Sequence, residues 1–136
     1  MIVFRTASPT LLDLMANHPT VRPTLQSGTY RLESAELLAD PRNVCLACEG
    51  GAALFLWVAQ GVYNGHILLL EGHRGALGLA FGRKALGALK AIVGACIIRA
   101  ATPRVLPAVG QYATRLGFVS KGVSLDGQEK LFELEL

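Results

Sequence analysis

Charge is scarce in this sequence: of its 136 residues only 17% are Asp, Glu, Lys or Arg, while 51% are hydrophobic. So high an apolar fraction implies that some apolar surface is shared with a partner, a homo-oligomer being one candidate. The formal net charge is a modest +3. Its basic residues are scattered, without the dense clusters or interleaved aromatics of a nucleic-acid groove, so no nucleic-acid partner is expected. Cysteine is scarce too. Cys45, Cys48 and Cys96 are odd in number, which excludes a closed disulfide framework and fits a reducing compartment. A basic start followed by a long apolar run is missing from Met1–Arg5, so the chain reads as cytoplasmic. Ser/His/Asp arrangements, metal-ligand clusters, Walker loops and dinucleotide glycine fingerprints are missing as well, which removes hydrolase, metalloenzyme and ATPase readings.

Two motifs that are present lose their sharper meaning on inspection. Cys45-Leu46-Ala47-Cys48 spells C-x-x-C, but it lies in a strand-like run where positions three apart point to opposite faces, so neither a shared metal nor a disulfide is made easily. These cysteines read as core residues. Gly50 to Leu70 carries no Asp, Glu, Lys or Arg and is long enough to span a bilayer. Gln60, Gly61, Asn64, Gly65 and His66 interrupt it with turn residues, so two buried strands joined by a hairpin are expected, and no membrane.

The length fits one domain over residues 1–136. Ile2 to Thr6 reads as a first strand, and Ser8-Pro9 as a helix start with Leu11, Leu12, Leu14 and Met15 on its buried face. Pro19 should stop that helix near Asn17-His18. Thr20 to Ser27 reads as a loop, Ser34 to Ala39 as a helical turn, and Asp40 to Asn43 as another loop. Val44–Cys48 and Ala53–Ala59 pair as a hairpin across Glu49 to Ala52, and Gly61 to Gly65 forms a second turn.

The rest of the chain is organised around His66 to Ala95. An uncharged branched run, His66 to Leu70, reads as a buried strand and breaks at Glu71-Gly72-His73-Arg74-Gly75. A helix over about Leu77 to Val93 follows, with Leu79, Leu86, Leu89 and Val93 on one face and Arg83, Gly87, Lys90 and Gly94 on the other. Its start offers unpaired N–H groups and a positive dipole end, which suit a phosphate. Gly75, Gly78 and Gly82 recur along that start. Each glycine within a helix costs about 1 kcal/mol, so something approaches the backbone there, either a ligand or a packed neighbour. Ala95–Ala100 reads as the next strand, Pro107–Leu116 as a second helix, and Phe118–Val123 and Lys130–Leu134 as two strands joined at Asp126-Gly127.

That order, with Arg74-Gly75-Ala76-Leu77-Gly78-Leu79-Ala80 before the first helix and Tyr112-Ala113-Thr114-Arg115-Leu116-Gly117-Phe118 ending the second, resembles the GNAT family of acyl-CoA-dependent N-acyltransferases over roughly residues 35–125. The resemblance implies an α+β fold, a mostly antiparallel central sheet with one parallel, splayed strand pair and flanking helices. It implies acetyl-CoA as cofactor, with its amides along the backbone of Leu68, Leu69 and Leu70 and its phosphates at Arg74, Gly75, Ala76, Leu77, Gly78, Leu79 and Ala80. The partner is then a primary amine, approached across a groove where His18 and Arg22 are contact candidates, although both also read as solvated loop residues.

Acyl transfer to an amine needs a base, because an ammonium cannot attack a thioester. His66, Glu71 and His73 are the candidates, and His66 is preferred for its ordinary pKa and its place on the central strand. Tyr112 is the candidate acid, although it stands one residue before the family's tyrosine position, which is Ala113 here, and so about 100° round the helix. Leu106 replaces the family's asparagine. These departures leave a second reading, a catalytically silent GNAT-like structural or interaction protein. Asn17 to Pro23 resembles compact members associated with bacteriophages, which would make that protein a virion component.

Overall fold

A computed structural model describes residues 1–25 and 33–136. Seven strands form one sheet: β1 (Phe4–Arg5), β2 (Val44–Cys48), β3 (Gly51–Ala59), β4 (Val62–Leu69), β5 (Ile97–Pro103), β6 (Val119–Val123) and β7 (Glu129–Glu135). The helices are α1 (Pro9–Ala16), α2 (Ala35–Ala39), α3 (Ala76–Val93) and α4 (Pro107–Arg115), with 3-10 turns at Arg22–Thr24 and Glu71–His73. The strand order is β1-β2-β3-β4-β5-β7-β6. Every pairing is antiparallel except β4 with β5, which is parallel because α3 carries the chain back between them. This is the mixed sheet expected.

Strand alternation sorts the apolar residues onto two faces. Val44, Leu46, Cys48, Ala53, Phe55, Tyr63 and Ile98 pack against Phe81, Ala85, Leu86 and Leu89 of α3. Cys45, Ala47, Ala52, Leu54 and Leu68 pack against Leu12, Met15, Ala16 and Val21 on the other side. Burying Phe81, Leu86 and Leu89 contributes roughly 1.5–3 kcal/mol each before entropy is counted. Cys45 and Cys48 therefore face opposite layers, and all three cysteines are free and buried. The Gly50 to Leu70 stretch is the β3–β4 hairpin, and no helix among the described residues is long and apolar enough to cross a membrane.

Several boundaries differ from those the sequence suggested. Ser8 caps α1, its Oγ accepting from Leu11 N–H at 3.3 Å, but Leu14 lies on the outer face and is 64% exposed, while Ala16 takes its place inside. The β2–β3 turn is only Glu49-Gly50. Gly50 has φ 81°, and a side chain there would overlap the His73 ring. Gln60-Gly61 makes the next turn, so Val62 to Gly65 are strand and His66 is the fifth residue of β4 rather than its start. β5 begins two residues later than expected, after Gly94 (φ 83°) ends α3. Of the loop read from Thr20 to Ser27, Arg22–Thr24 is a 3-10 turn, and Gln26 and Ser27 lie outside the described residues.

Candidate functional site

The parallel pair is short. Val62, Tyr63 and Asn64 stand opposite Ile97, Ile98 and Arg99, and beyond them β4 stays with β3 while β5 stays with β7. The two strands splay from there toward their C-terminal ends. Gly65 sits at the vertex, where a Cβ would come within 2.9 Å of the Ile98 side chain, so a larger residue would force the strands apart earlier.

Hydrogen-bond alternation shows which backbone groups line the opening. Leu70 N–H donates to Gly50 O at 2.9 Å, and Ile97 N–H donates to Gly61 O at 2.8 Å. Even-numbered residues of this stretch therefore turn their backbone groups to β3, and odd-numbered ones turn theirs to the splay. Among the described residues Gly65 and Ile67 present an unpaired strand edge, continued by the N–H of Leu69, whose carbonyl is taken by Arg74. Of the three leucines expected there, Leu69 alone lines the opening; Leu68 and Leu70 bond toward β3. Ile67 and Gly65 were missed because strand alternation needs a register, and the register depends on where the β3–β4 turn ends.

The opening leads to the start of α3. Gly75 (φ 76°) is its N-cap without any side-chain cap, and Leu79 is the first residue whose N–H reaches a helical acceptor, Gly75 O at 3.0 Å. The N–H groups of Ala76, Leu77 and Gly78 have no acceptor within the helix. Open space surrounds the Cβ position of Gly75, and Leu77 is 51% exposed, so its side chain does not fill the turn. Arg74 turns away from it. Its Nε donates to Leu69 O at 3.3 Å and its other nitrogen to Thr20 O, tying the segment after α1 to the end of β4.

Gly78 and Gly82 are explained differently from Gly75. A Cβ at Gly78 would meet His73 O and Leu69 Cδ1 at 2.8 Å, and one at Gly82 would overlap the Tyr112 hydroxyl. Both glycines make room for the protein's own atoms. Tyr112 donates its hydroxyl to Gly78 O at 2.7 Å, and burial holds its pKa well above the ordinary phenol value. The tyrosine is thus a clamp between α4 and the first turns of α3.

His66 stands just past the vertex with its side chain on the α1 face of the sheet, the same face as Leu54 and Leu68. The side chain reaches solvent, yet surrounding protein lowers its pKa by desolvation, and Glu129 of β7 opposes that shift. Neutral imidazole is favoured. Glu71 and His73 lie in the 3-10 turn beyond β4; Glu71 is exposed, and His73 packs over Gly50. His18 is occupied locally, its Nδ1 accepting from Thr20 N–H at 3.2 Å. Arg22 follows in the turn that Arg74 ties down, its N–H donating to His18 O at 2.9 Å. Among the described residues no group of three or more His, Cys, Asp or Glu is placed to hold a metal.

No family model matches this chain, and neither does any curated protein sequence. Solved structures do. The GNAT domain of S. lividans PAT superposes with a TM-score of 0.76 at 14% identity, covering 98% of this chain and 89% of that one. The spermidine N-acetyltransferase SpeG from Vibrio cholerae, in complex with CoA and spermine, superposes with a TM-score of 0.72 at 12% identity, covering 98% and 94%. A SpeG F149A mutant gives 0.73 at 13% identity, covering 99% and 95%. The chain has the GNAT fold. Identities this low speak for the fold alone, and the activity must be argued from the residues of this chain.

Proposed function

We propose that this protein is an N-acyltransferase that uses acetyl-CoA as donor and a primary amine as acceptor. One observation carries the reading: the open edge of Gly65, Ile67 and the Leu69 N–H leads, past the turn at Glu71–His73, to the uncapped start of α3. An extended chain of amides can bond to the strand edge as an added strand would, while a pyrophosphate meets the orphan N–H groups of Ala76, Leu77 and Gly78 and the helix dipole. Coenzyme A combines those two chemistries in one molecule. The SpeG structure with CoA and spermine supports the same pairing of donor and amine.

In this arrangement the thioester would reach the vertex beside Gly65. His66, on the α1 face, takes the proton from the incoming ammonium, directly or through a water, and its lowered pKa keeps it in the receiving form. The amine nitrogen then attacks the thioester carbonyl, the C–S bond breaks, and the sulfur leaves as the thiol by taking up the second proton that the nitrogen sheds. Glu129 supplies a carboxylate for a cationic acceptor, a role that sequence reading overlooked because β7 is brought near β4 only by the sheet order. Thr20 and its neighbours His18 and Arg22, held by Arg74, form the opposite rim.

A second reading, a GNAT-like protein without catalysis, draws on Tyr112, whose hydroxyl is spent on Gly78 O. One experiment separates the two. Acetyl-CoA at a hundred times its dissociation constant should stabilise the fold by about 2.7 kcal/mol, and thiol release should then depend on added spermidine or another primary amine. No thermal shift with millimolar acetyl-CoA would sink the acyltransferase reading; a shift without thiol release across a broad amine panel would favour the silent one.

A further inference from the structure

On the far side of α4 from Tyr112 lies a groove of about 390 Å³, walled by α4 and floored by the corner where β5, β7 and β6 meet. Its cations are Arg104, Arg115 and Lys130, and among the described residues no carboxylate lines it. The strands explain this sorting. On β7 the acidic residues Glu129, Glu133 and Glu135 are all odd-numbered and share the face of Arg99, which pairs with Glu133, whereas Lys130 shares the opposite face with Phe132. Acids and bases of one strand are thereby separated by the sheet.

The groove also has a built floor. α4 lies close over that floor at Gly110, where a Cβ would be in ordinary contact with Thr102 Oγ1 at 3.4 Å and Phe132 Cζ at 3.5 Å. Thr102 is one of two buried polar side chains among the described residues. Arg104 is braced at the groove's end, its guanidinium donating to Gly127 O at 3.1 Å. The side chains of Gln111, Arg115 and Lys130 have no hydrogen-bond or ion-pair partner among the described residues.

We propose that this groove is a second binding site, for a small phosphomonoester. Three cations around one space favour a dianion, and the hydroxyls of Thr102 and Ser120 with the amide of Gln111 suit its three terminal oxygens better than they suit the two of a carboxylate, the Thr114 hydroxyl being spent on Gly110 O. Pro103, Pro107 and Phe132 offer an apolar wall to the remainder of the ligand. The site does not depend on the acyltransferase reading. It lies across α4 from the splay, and it can be occupied whether or not the protein binds acetyl-CoA.

The test is a titration of the isotope-labelled full chain with phenyl phosphate, followed by backbone amide shifts, with benzoate and chloride at matched ionic strength as controls. Saturable shifts at Thr102, Arg104, Gln111 and Lys130, weaker for benzoate and absent for chloride, are expected. Arg115→Ala combined with Lys130→Ala should weaken binding at least tenfold, and Thr102→Val, which keeps the shape and removes the hydroxyl, should weaken it less. Equal shifts with chloride, full binding by the double variant, or displacement of phenyl phosphate by acetyl-CoA would each overturn the proposal, the last by making the groove part of a coenzyme A site.

Discussion

Gly82→Ala is a small substitution with a specific consequence, because the space above Gly82 is taken by one atom. The added methyl would overlap the Tyr112 hydroxyl and approach both Leu116 methyls at 3.0 Å. Overpacking of this kind costs about 1–3 kcal/mol. Displacing the tyrosine also breaks its 2.7 Å bond to Gly78 O, which costs about 1 kcal/mol more. Against this, alanine gains about 1 kcal/mol of helix propensity over glycine. The net expectation is a loss of about 1–3 kcal/mol. Tyr112→Phe removes the overlapping atom and leaves only flexible leucine methyls, so in that background Gly82→Ala should be nearly neutral. A double-mutant cycle by urea unfolding should show this as coupling of about 1–3 kcal/mol, well resolved when the slope is about 1–3 kcal/mol/M. If Gly82→Ala costs the same in both backgrounds, the clamp does not explain the glycine.

Four further outcomes are expected. His66→Gln should lower turnover by about 10²- to 10⁴-fold with acetyl-CoA affinity unchanged, and the acidic limb of the wild-type rate profile should lie below the ordinary histidine value of 6.5. The same lowered pKa has a stability sign: the unfolded chain takes up the proton first as pH falls, so His66 contributes stability above about 6.5 that is lost as pH drops through its folded pKa, and His66→Gln should flatten that slope in acid unfolding curves. Burial of the three thiols, with that of Cys45 pushed up to about 11, predicts negligible labelling by a thiol reagent near pH 8 until denaturant is added, and then three thiols per chain. Arg74→Ala should speed hydrogen exchange and proteolysis between His18 and Arg22, since it removes the tie to Thr20 O; unchanged exchange there would mean that the tie holds nothing.

Periodicity made most elements legible. Leu86, Leu89 and Val93 of the α3 stripe and the Ser8-Pro9 start were readable because each depends on residues close in sequence, whereas Leu79 lies outside the packed cluster and Phe81 and Ala85 fill the core there. Turn extents were less so. Gly61 to Gly65 reads as one turn because Asn64 and Gly65 are turn residues in isolation, yet pairing with Leu56 and Phe55 draws both into β4. That is tertiary context overriding propensity. The insertion of β7 between β5 and β6 was not legible at all, since nothing local distinguishes a hairpin whose second strand pairs inward from one whose first strand does. This insertion brings Glu129 toward His66 and Lys130 beneath α4, so the two residues that most changed the view of the surface were those that sequence reading could not place.

The glycines show how one local signal resolves into two causes. Gly75, Gly78 and Gly82 were read together because their recurrence costs helix stability, and that cost does require something close to the backbone. At Gly78 and Gly82 the close neighbours are Leu69, His73, Tyr112 and Leu116, and the cost is offset by packing α4 and β4 against α3. At Gly75 no described neighbour lies within 4 Å of the Cβ position; the residue is glycine because φ is 76°. That left-handed cap is what leaves the next three N–H groups facing outward. The open end and the packed interior of this helix start therefore depend on each other. Tyr112 holds the turn from inside by the carbonyl of Gly78, while the N–H of the same residue belongs to the orphan set at the α3 start. A side chain at Gly78 would disturb both, and its effect on coenzyme A binding could not be told from its effect on folding. Gly75→Ala separates them: it strains only the cap, so it should weaken acetyl-CoA binding while the Gly82–Tyr112 coupling stays at its wild-type value.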